Sequence, residues 1–435
     1  MKLWQKDHTD TAGLVEQFTV GRDKDFDLLL AEADVQGSLA HTAMLCYVGL
    51  LTADELEQIH KGLHHIGQQI AEGAFRIATE VEDVHSQIEL QLTQEIGEAG
   101  KKIHSGRSRN DQVAVAIKLF LKKEIKEIAG LAATLFDELQ GLSERYRYHL
   151  LPGYTHLQVA MPSSFGLWFG AYAESLVDDL ELLAAAYKIT DKNPLGSGAG
   201  YGSSFPLDRQ LTTTLLQLGD LHYNAVYAQM SRGKTERFVA TGIAALGATL
   251  ARLSMDICLF MNQNFSFIRF PEALTTGSSI MPHKKNPDLF ELVRGKGNRL
   301  QSIPNELALL TTNLPSGYHR ELQLTKEVLF PAIETLKDCF RILSFALPQV
   351  QVKEGILEDP AYRYLFTVEA VNDKVREGMP FREAYRAVGN SVEQGSFAYE
   401  GFDPARHTHE GSMGNLCNPE IAAAMKKVLQ QFALV

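Results

Sequence analysis

Five segments of this 435-residue chain gather side chains able to bind anions or move protons, and each interrupts an otherwise helical pattern. The richest is Thr275-Thr276-Gly277-Ser278-Ser279-Ile280-Met281-Pro282-His283-Lys284-Lys285-Asn286-Pro287. Paired serines, paired lysines, a glycine and two prolines make a shaped loop rich in donors, and long polar loops in compact helical proteins are frequently functional. His104-Ser105-Gly106-Arg107-Ser108-Arg109-Asn110-Asp111-Gln112 opens the longest helical stretch, where polar side chains and free backbone amides favour an anion. A solvated cap built on Ser108, Asn110 or Asp111 is the alternative there. Pro152-Gly153-Tyr154-Thr155-His156-Leu157-Gln158 offers a Thr–His pair, suited to proton transfer or to a plain interhelix turn. Tyr318-His319-Arg320-Glu321-Leu322-Gln323-Leu324-Thr325-Lys326 reads as a binding segment or as a charged helix start. Asn193-Pro194-Leu195-Gly196-Ser197-Gly198-Ala199-Gly200-Tyr201-Gly202 is glycine-rich, but Tyr201 stands where a dinucleotide fingerprint needs its last glycine and no apolar strand precedes it. A tight connector is expected there rather than a phosphate loop.

Long helices must position these segments. Ala114, Ile117, Leu121, Ile125, Ile128, Ala132, Leu135, Leu139 and Leu142 recur three and four apart, and no proline interrupts from Asp111 to Leu151, which predicts one helix of roughly 35–40 residues. Phe165 to Tyr187, Val239 to Phe260 and Leu329 to Leu347 carry three more such stripes, the last with Pro331 in its first turns. A further helix is expected from near Pro287, bent or ended by Pro304. Shorter helices, such as Ala53 to Glu72, precede Ser105, and prolines break the chain again after Val352. No strand series is evident. The expected class is all-α, in three domains: 1–106, a long-helix bundle over 107–350, and 351–435. Stripes this long call for burial against other helices, and a bundle shared between subunits of a symmetric oligomer would cover part of them.

Composition narrows the function. At 45% hydrophobic and 22% charged the chain is not disordered. It has no uninterrupted apolar run of membrane-spanning length, so no membrane span is expected. Met1-Lys2-Leu3-Trp4-Gln5-Lys6-Asp7-His8 lacks the apolar core of a signal peptide, so a cytoplasmic location is expected. Lys+Arg 42 against Asp+Glu 53 gives a net charge of −11, which argues against a nucleic-acid partner and requires locally placed cations for any anionic substrate. Cys46, Cys258, Cys339 and Cys417 lie too far apart for a zinc motif or a disulfide framework. His60 and His64 have an i, i+4 spacing but no accompanying carboxylate motif, so no metal is expected.

Taken together the segments resemble the argininosuccinate lyases of the fumarase–aspartase superfamily. Gly277-Ser278-Ser279-Ile280-Met281-Pro282-His283-Lys284-Lys285-Asn286-Pro287 is similar to the superfamily's signature loop. The stretches around Arg109, His156 and Gly196 resemble the narrower family, as does Gly378-Met379-Pro380-Phe381-Arg382-Glu383-Ala384. The likeness runs from Lys2-Leu3-Trp4 to at least Val388. It implies a three-domain helical fold and a homotetramer with active sites shared between subunits. It also implies reversible elimination of L-arginine from argininosuccinate to leave fumarate, without metal, nucleotide or organic cofactor. By the same correspondence Ser278 is the general base, with Lys284 and Asn286 stabilising the carbanion-like intermediate. His156, with Thr155 beside it, is the candidate acid, and Glu291 orients its imidazole from another subunit. Arg109 and Asn110 correspond to a carboxylate-binding pair, while Ser279, Tyr318, Gln323 and Lys326 correspond to substrate contacts.

Four places depart from the family pattern. Gln5-Lys6-Asp7-His8 replaces Gly-Gly-Arg-Phe, and Phe18-Thr19-Val20-Gly21 brings glycine near a substrate-contacting serine. Gln323-Leu324-Thr325-Lys326 lacks a Glu-Asp pair, and Ser231-Arg232-Gly233-Lys234 stands for Ser-x-Arg-Asp. These changes ring the arginine end of the substrate. They leave open a modified argininosuccinate or another fumarate-releasing substrate, and a crystallin-like structural protein is a minor alternative.

Overall fold

A computed structural model describes residues 13–434, so the Gln5–His8 departure lies outside the described residues. Four helices dominate: Arg109–Arg145, Phe165–Thr190, Lys234–Met261 and Thr325–Ala346. Every position of the first predicted stripe, from Ala114 to Leu142, is at most 2% exposed, and the other three stripes are buried too. The helix Asp288–Leu300 ends before Pro304, which opens the next helix, Ile303–Leu310. Lys234–Met261 is long and apolar enough to cross a membrane by length and composition. Its row Val239, Ile243, Leu246, Leu250, Leu253 and Ile257 is instead packed inside the protein. One chain alone therefore buries the four stripes. Apolar surface open to another subunit lies elsewhere, for example at Leu157, Leu292 and Phe345, which are 82%, 64% and 62% exposed.

The chain divides into two compact units, each drawn from three stretches of sequence. The first takes in the described residues up to Ile128, then Leu182–Ala245 and Arg299–Thr335. Its shorter helices include Ala53–Ala71, started by a capping box in which Thr52 Oγ1 accepts from the Glu55 amide at 3.2 Å and Glu55 returns the bond. Its defining contact is Asp111, in the first turn of the longest helix. The Asp111 carboxylate is wholly buried and accepts the amides of Ser108 at 2.8 Å, Gly196 at 2.8 Å and Gly198 at 2.9 Å. The glycine-rich segment thus wraps a carboxylate of its own chain, with Gly196 and Gly198 at positive φ so that both amides converge. Nearby, Asp34 bonds His85 Nδ1 at 2.8 Å and the Gln112 amide at 2.8 Å, all buried. Burial works against the Asp34 charge, but His85 and Arg107 outweigh it and hold its pKa at about 2.

The second unit comprises Ala129–Glu181, Leu246–Asn298 and the residues from Leu336 onward. Asp256 accepts from both Trp168 Nε1 at 3.1 Å and the Tyr172 hydroxyl at 2.6 Å, satisfying the polar edges of a large aromatic cluster. A Cβ on Gly297 would fall 2.4 Å from the Gly247 carbonyl, so Asp288–Leu300 meets the neighbouring helix backbone to backbone.

One expectation is met and one needs correction. The longest helix, Arg109–Arg145, has 37 residues, the length its stripe predicts. The connection that follows is a β-hairpin, Leu150–Thr155 against Gln158–Ser164, so the fold is mostly helical rather than purely so. Two further two-residue ladders complete the strands among the described residues.

Buried histidines make stability pH-dependent. Burial, reinforced by Arg107, pulls His41 from its ordinary 6.5 to about 3; burial and Arg107 pull His104 to about 4; burial and Lys118 pull His222 to about 3. Above pH 6.5 these groups are neutral folded or unfolded. Below it the unfolded chain binds protons that the native state refuses, so stability falls as pH drops. His41, fully buried with Nε2 donating to the Ser105 carbonyl at 2.8 Å, alone accounts for about 2 kcal/mol at pH 5. Urea unfolding at pH 7 and pH 5 should show a clearly lower midpoint at pH 5; equal midpoints would mean the imidazoles protonate within the fold. Asp111→Asn turns an NH₂ group toward amide donors, and should cost about 2–4 kcal/mol in the same measurement.

Candidate active site

In the first unit, Arg109, Asn110, Tyr318, Gln323 and Lys326 all line one cavity of about 310 Å³. Arg109 follows directly from Asp111's anchorage, one turn-start away. Its guanidinium lies 3.6 Å from Asp83 and 3.8 Å from Glu89 and donates to Ser86 Oγ at 3.1 Å. Gln323 donates to the carbonyls of Thr19 at 3.1 Å and Val20 at 3.4 Å, tying the Tyr318–Lys326 segment to the departing Phe18–Gly21 stretch. Lys326 is 3% exposed and paired with Asp23 at 2.7 Å and with Asp27. Burial opposes its charge, yet Asp27 and Asp23 raise its pKa. Asp23 is pushed up to about 6 by burial and by Asp27, against the pull of Lys326.

The reading from sequence did not single out Asp23, Asp27, Asp83 or His85, and it met His104 and Arg232 only as members of longer segments; all six are on the wall of this cavity. Two signals were present: the Asp23/Asp27 spacing of four, and the Glu82-Asp83-Val84-His85 run at a helix start, where Asp83 caps through the Ser86 amide at 2.6 Å.

The second unit carries the remaining candidates. Thr276 and Asn286 exchange backbone bonds, at 3.2 and 2.8 Å, and close the signature stretch into a loop with a pinned neck. The Asn286 side chain donates inward, to the Gly277 carbonyl at 3.3 Å and Thr276 Oγ1 at 3.4 Å. Ser278 Oγ accepts the amides of Ile280 at 3.4 Å and Met281 at 3.2 Å. Amide dipoles aimed at that oxygen favour its deprotonated form. Ser279 and Lys284 are exposed on the loop, and among the described residues Lys284 Nζ has no ion pair or hydrogen bond. The donors found at Ser278 are backbone amides of its own loop. Glu291, exposed in the first turn of Asp288–Leu300, lies 3.9 Å from Arg294. Thr155 and His156 stand at the exposed tip of the hairpin. Thr155 pairs with Gln158, leaving a two-residue loop in which His156 and Leu157 have φ of 53° and 58°. Two-residue loops demand such backbone and usually use asparagine or glycine for it, so a histidine here is held in a conformation that costs about 1–2 kcal/mol.

A lyase family model matches residues 8–301 of the chain. Argininosuccinate lyase of Parabacteroides distasonis is 56% identical over 432 residues, covering 99% of this chain and 96% of that protein. The enzyme of the same name from Bacteroides thetaiotaomicron is 55% identical over 431 residues, with the same coverage of each. The chain belongs to the argininosuccinate lyase family. Among solved structures, a variant of EDDS lyase with bound fumarate superposes with a TM-score of 0.76, at 20% identity, over 98% of this chain and 91% of that one. That likeness identifies the fold as lyase-like. Family membership makes the departures at Ser231–Lys234 and Gln323–Lys326 properties of an argininosuccinate lyase relative, not of some unrelated helical protein.

The hairpin tip separates conformation from chemistry. His156→Asn keeps a residue that tolerates left-handed backbone but removes the imidazole. Its melting temperature should match the parent's, while kcat falls roughly 10²–10⁴-fold, the usual worth of a general acid or base. A variant as active as the parent would leave the imidazole without a part in proton transfer.

Proposed function

We propose that the chain catalyses reversible elimination of argininosuccinate to L-arginine and fumarate, in the cytoplasm, as a step of arginine biosynthesis. The observation that carries this is identity above half with argininosuccinate lyases over 99% of the chain, with the Ser278 hydroxyl held in an amide cradle.

The reaction removes a proton from the carbon beside one carboxylate of the succinyl half. The electron pair then resides on that carboxylate as a doubly charged aci-form. The C–N bond on the adjacent carbon breaks, its electrons leave with the guanidino nitrogen, and that nitrogen gains a proton. In this reading Ser278 takes the first proton as an alkoxide, favoured by the Ile280 and Met281 amides. Lys284 swings onto the substrate carboxylate as the loop closes, since its ammonium is not committed elsewhere among the described residues; charge stabilisation of the intermediate is the largest contribution. Asn286 fixes the loop neck and Ser279 adds a hydroxyl. His156 delivers the second proton, with Thr155 beside it and Glu291 orienting the ring from another subunit. Arg109 and Asn110 hold a substrate carboxylate; Tyr318, Gln323 and Lys326 hold the arginine half.

A homotetramer supports this division of labour, because the hairpin presents Leu157, Val159 and Met161, all substantially exposed, as apolar surface for a neighbouring subunit. The three-domain partition at 106 and 350 belongs to the same proposal.

Purified protein supplied with argininosuccinate should release fumarate, followed by its ultraviolet absorbance. Adenylosuccinate, aspartate and malate should give none. Ser278→Ala should lower kcat about 10²–10⁴-fold, on the order of 3–5 kcal/mol, at near-constant KM. Fumarate from another of these substrates and not from argininosuccinate would overturn the reading.

A further inference from the structure

Arg209 lies under the glycine-rich connector that grips Asp111. It opens the short helix Arg209–Leu215. Its half-buried guanidinium donates through Nε to the Leu195 carbonyl at 2.8 Å and through Nη2 to the His222 carbonyl at 2.8 Å. Longer contacts reach the carbonyls of Tyr223 at 3.4 Å and of Asn193 and Pro194 at 3.5 Å. A flat fork of five donors can serve this many backbone oxygens at once, which the three donors of an ammonium cannot. Gly196 is fitted to that fork: its φ is +82°, and a Cβ there would fall 2.8 Å from Arg209 Cγ.

The Leu195 carbonyl and the Gly196 amide belong to one peptide group, and in a trans peptide the two point in opposite directions. The oxygen accepts from Arg209 at 2.8 Å, while the N–H donates to Asp111 Oδ2 at 2.8 Å. A cation and an anion therefore hold the two ends of the same peptide group. Both bonds are charge-assisted, and each polarises the peptide in the sense that strengthens the other. Without the guanidinium, this peptide sits beside a glycine that adopts either sign of φ and is free to turn its N–H away from Asp111.

We infer that Arg209 is a positioning residue for the lyase reaction: it fixes the Leu195–Gly196 peptide against Asp111 and so sets the direction of Arg109 and Asn110, the carboxylate-binding pair. The inference rests on the lyase reading above, which gives that pair its role. Arg209 does not line the cavity that Arg109 and Asn110 line, so its effect on a ligand passes through Asp111.

Calorimetry on the full-length protein with fumarate and with L-arginine, alongside steady-state kinetics, tests this. Arg209→Gln should weaken fumarate binding and raise KM for argininosuccinate about 10-fold. Its kcat and its L-arginine affinity should stay within about threefold of the parent's. Retained arginine binding also certifies that the variant is folded. Arg209→Lys, which keeps a charged donor for the Leu195 carbonyl, should recover part of the fumarate affinity. In an Asp111→Asn background, Arg209→Gln should cost no further fumarate affinity, because both substitutions break the same chain of bonds. If Arg209→Gln does not fold, Arg209→Lys takes its place in both comparisons, and a selective loss of fumarate over arginine is still the expected result. In a folded variant, equal losses of fumarate and arginine, no loss of fumarate, or losses that multiply in the double variant would overturn the inference. Wild-type protein that binds fumarate yet releases none from argininosuccinate would sink the lyase reading and leave the link from Arg209 to Asp111 to be judged on the fumarate measurements.

Discussion

A carboxylate buried among three backbone amides sets the geometry of the first unit. Asp111 lies at the start of the 37-residue helix and is gripped by Ser108, Gly196 and Gly198. Burial pushes its pKa up to about 6 in spite of those amides, so the contact is held against a real desolvation cost. In return, the helix start is fixed against the glycine-rich connector. Arg109 and Asn110 occupy the two positions just before Asp111, and their direction into the cavity is inherited from that anchorage. A loop that resembles a phosphate cradle is used here to seat a side chain of the protein itself.

The two units solve opposite problems. In the first, cations are prepared in advance, each paired with acids before any substrate arrives, and the cavity wall carries little net charge of its own. In the second, the groups proposed for proton transfer sit on exposed, movable or strained backbone: a loop pinned at Thr276 and Asn286, and a hairpin tip in the left-handed region. Positioning side chains gains from rigidity, whereas a base and an acid that must be shielded from water gain from arriving with a closing loop. Gly297 contributes by letting the helix that follows the loop meet its neighbour backbone to backbone at Gly247.

What the sequence disclosed follows from the range of the interactions involved. The four helical stripes were legible because burial repeats every three or four residues, and each predicted position is buried. The hairpin was not, since Leu150-Leu151-Pro152-Gly153-Tyr154-Thr155 has no apolar alternation and contains both proline and glycine. The five binding candidates of the first unit do converge on one cavity, yet its acidic wall stayed hidden. Asp27 meets Lys326 across 299 residues, and nothing local to either one announces the other. Asn286 shows the reverse limit: its identity was readable from the motif, while its job as a neck staple depends on a backbone bridge that only the folded loop displays.

Charge arithmetic then connects the cavity to the whole chain. A protein of net charge −11 repels a substrate carrying several carboxylates unless cations are concentrated where it binds. Concentrating them in a small, half-enclosed space without acids would raise the cost of folding, because like charges in a low dielectric repel strongly. The wall resolves this by pairing: Asp83 with Arg109, Glu82 with Arg320, Asp23 and Asp27 with Lys326. Such pairs stabilise the empty cavity and fix the directions of its cations before any substrate arrives. Affinity for the substrate thereby rests on donors that neighbouring acids have already oriented.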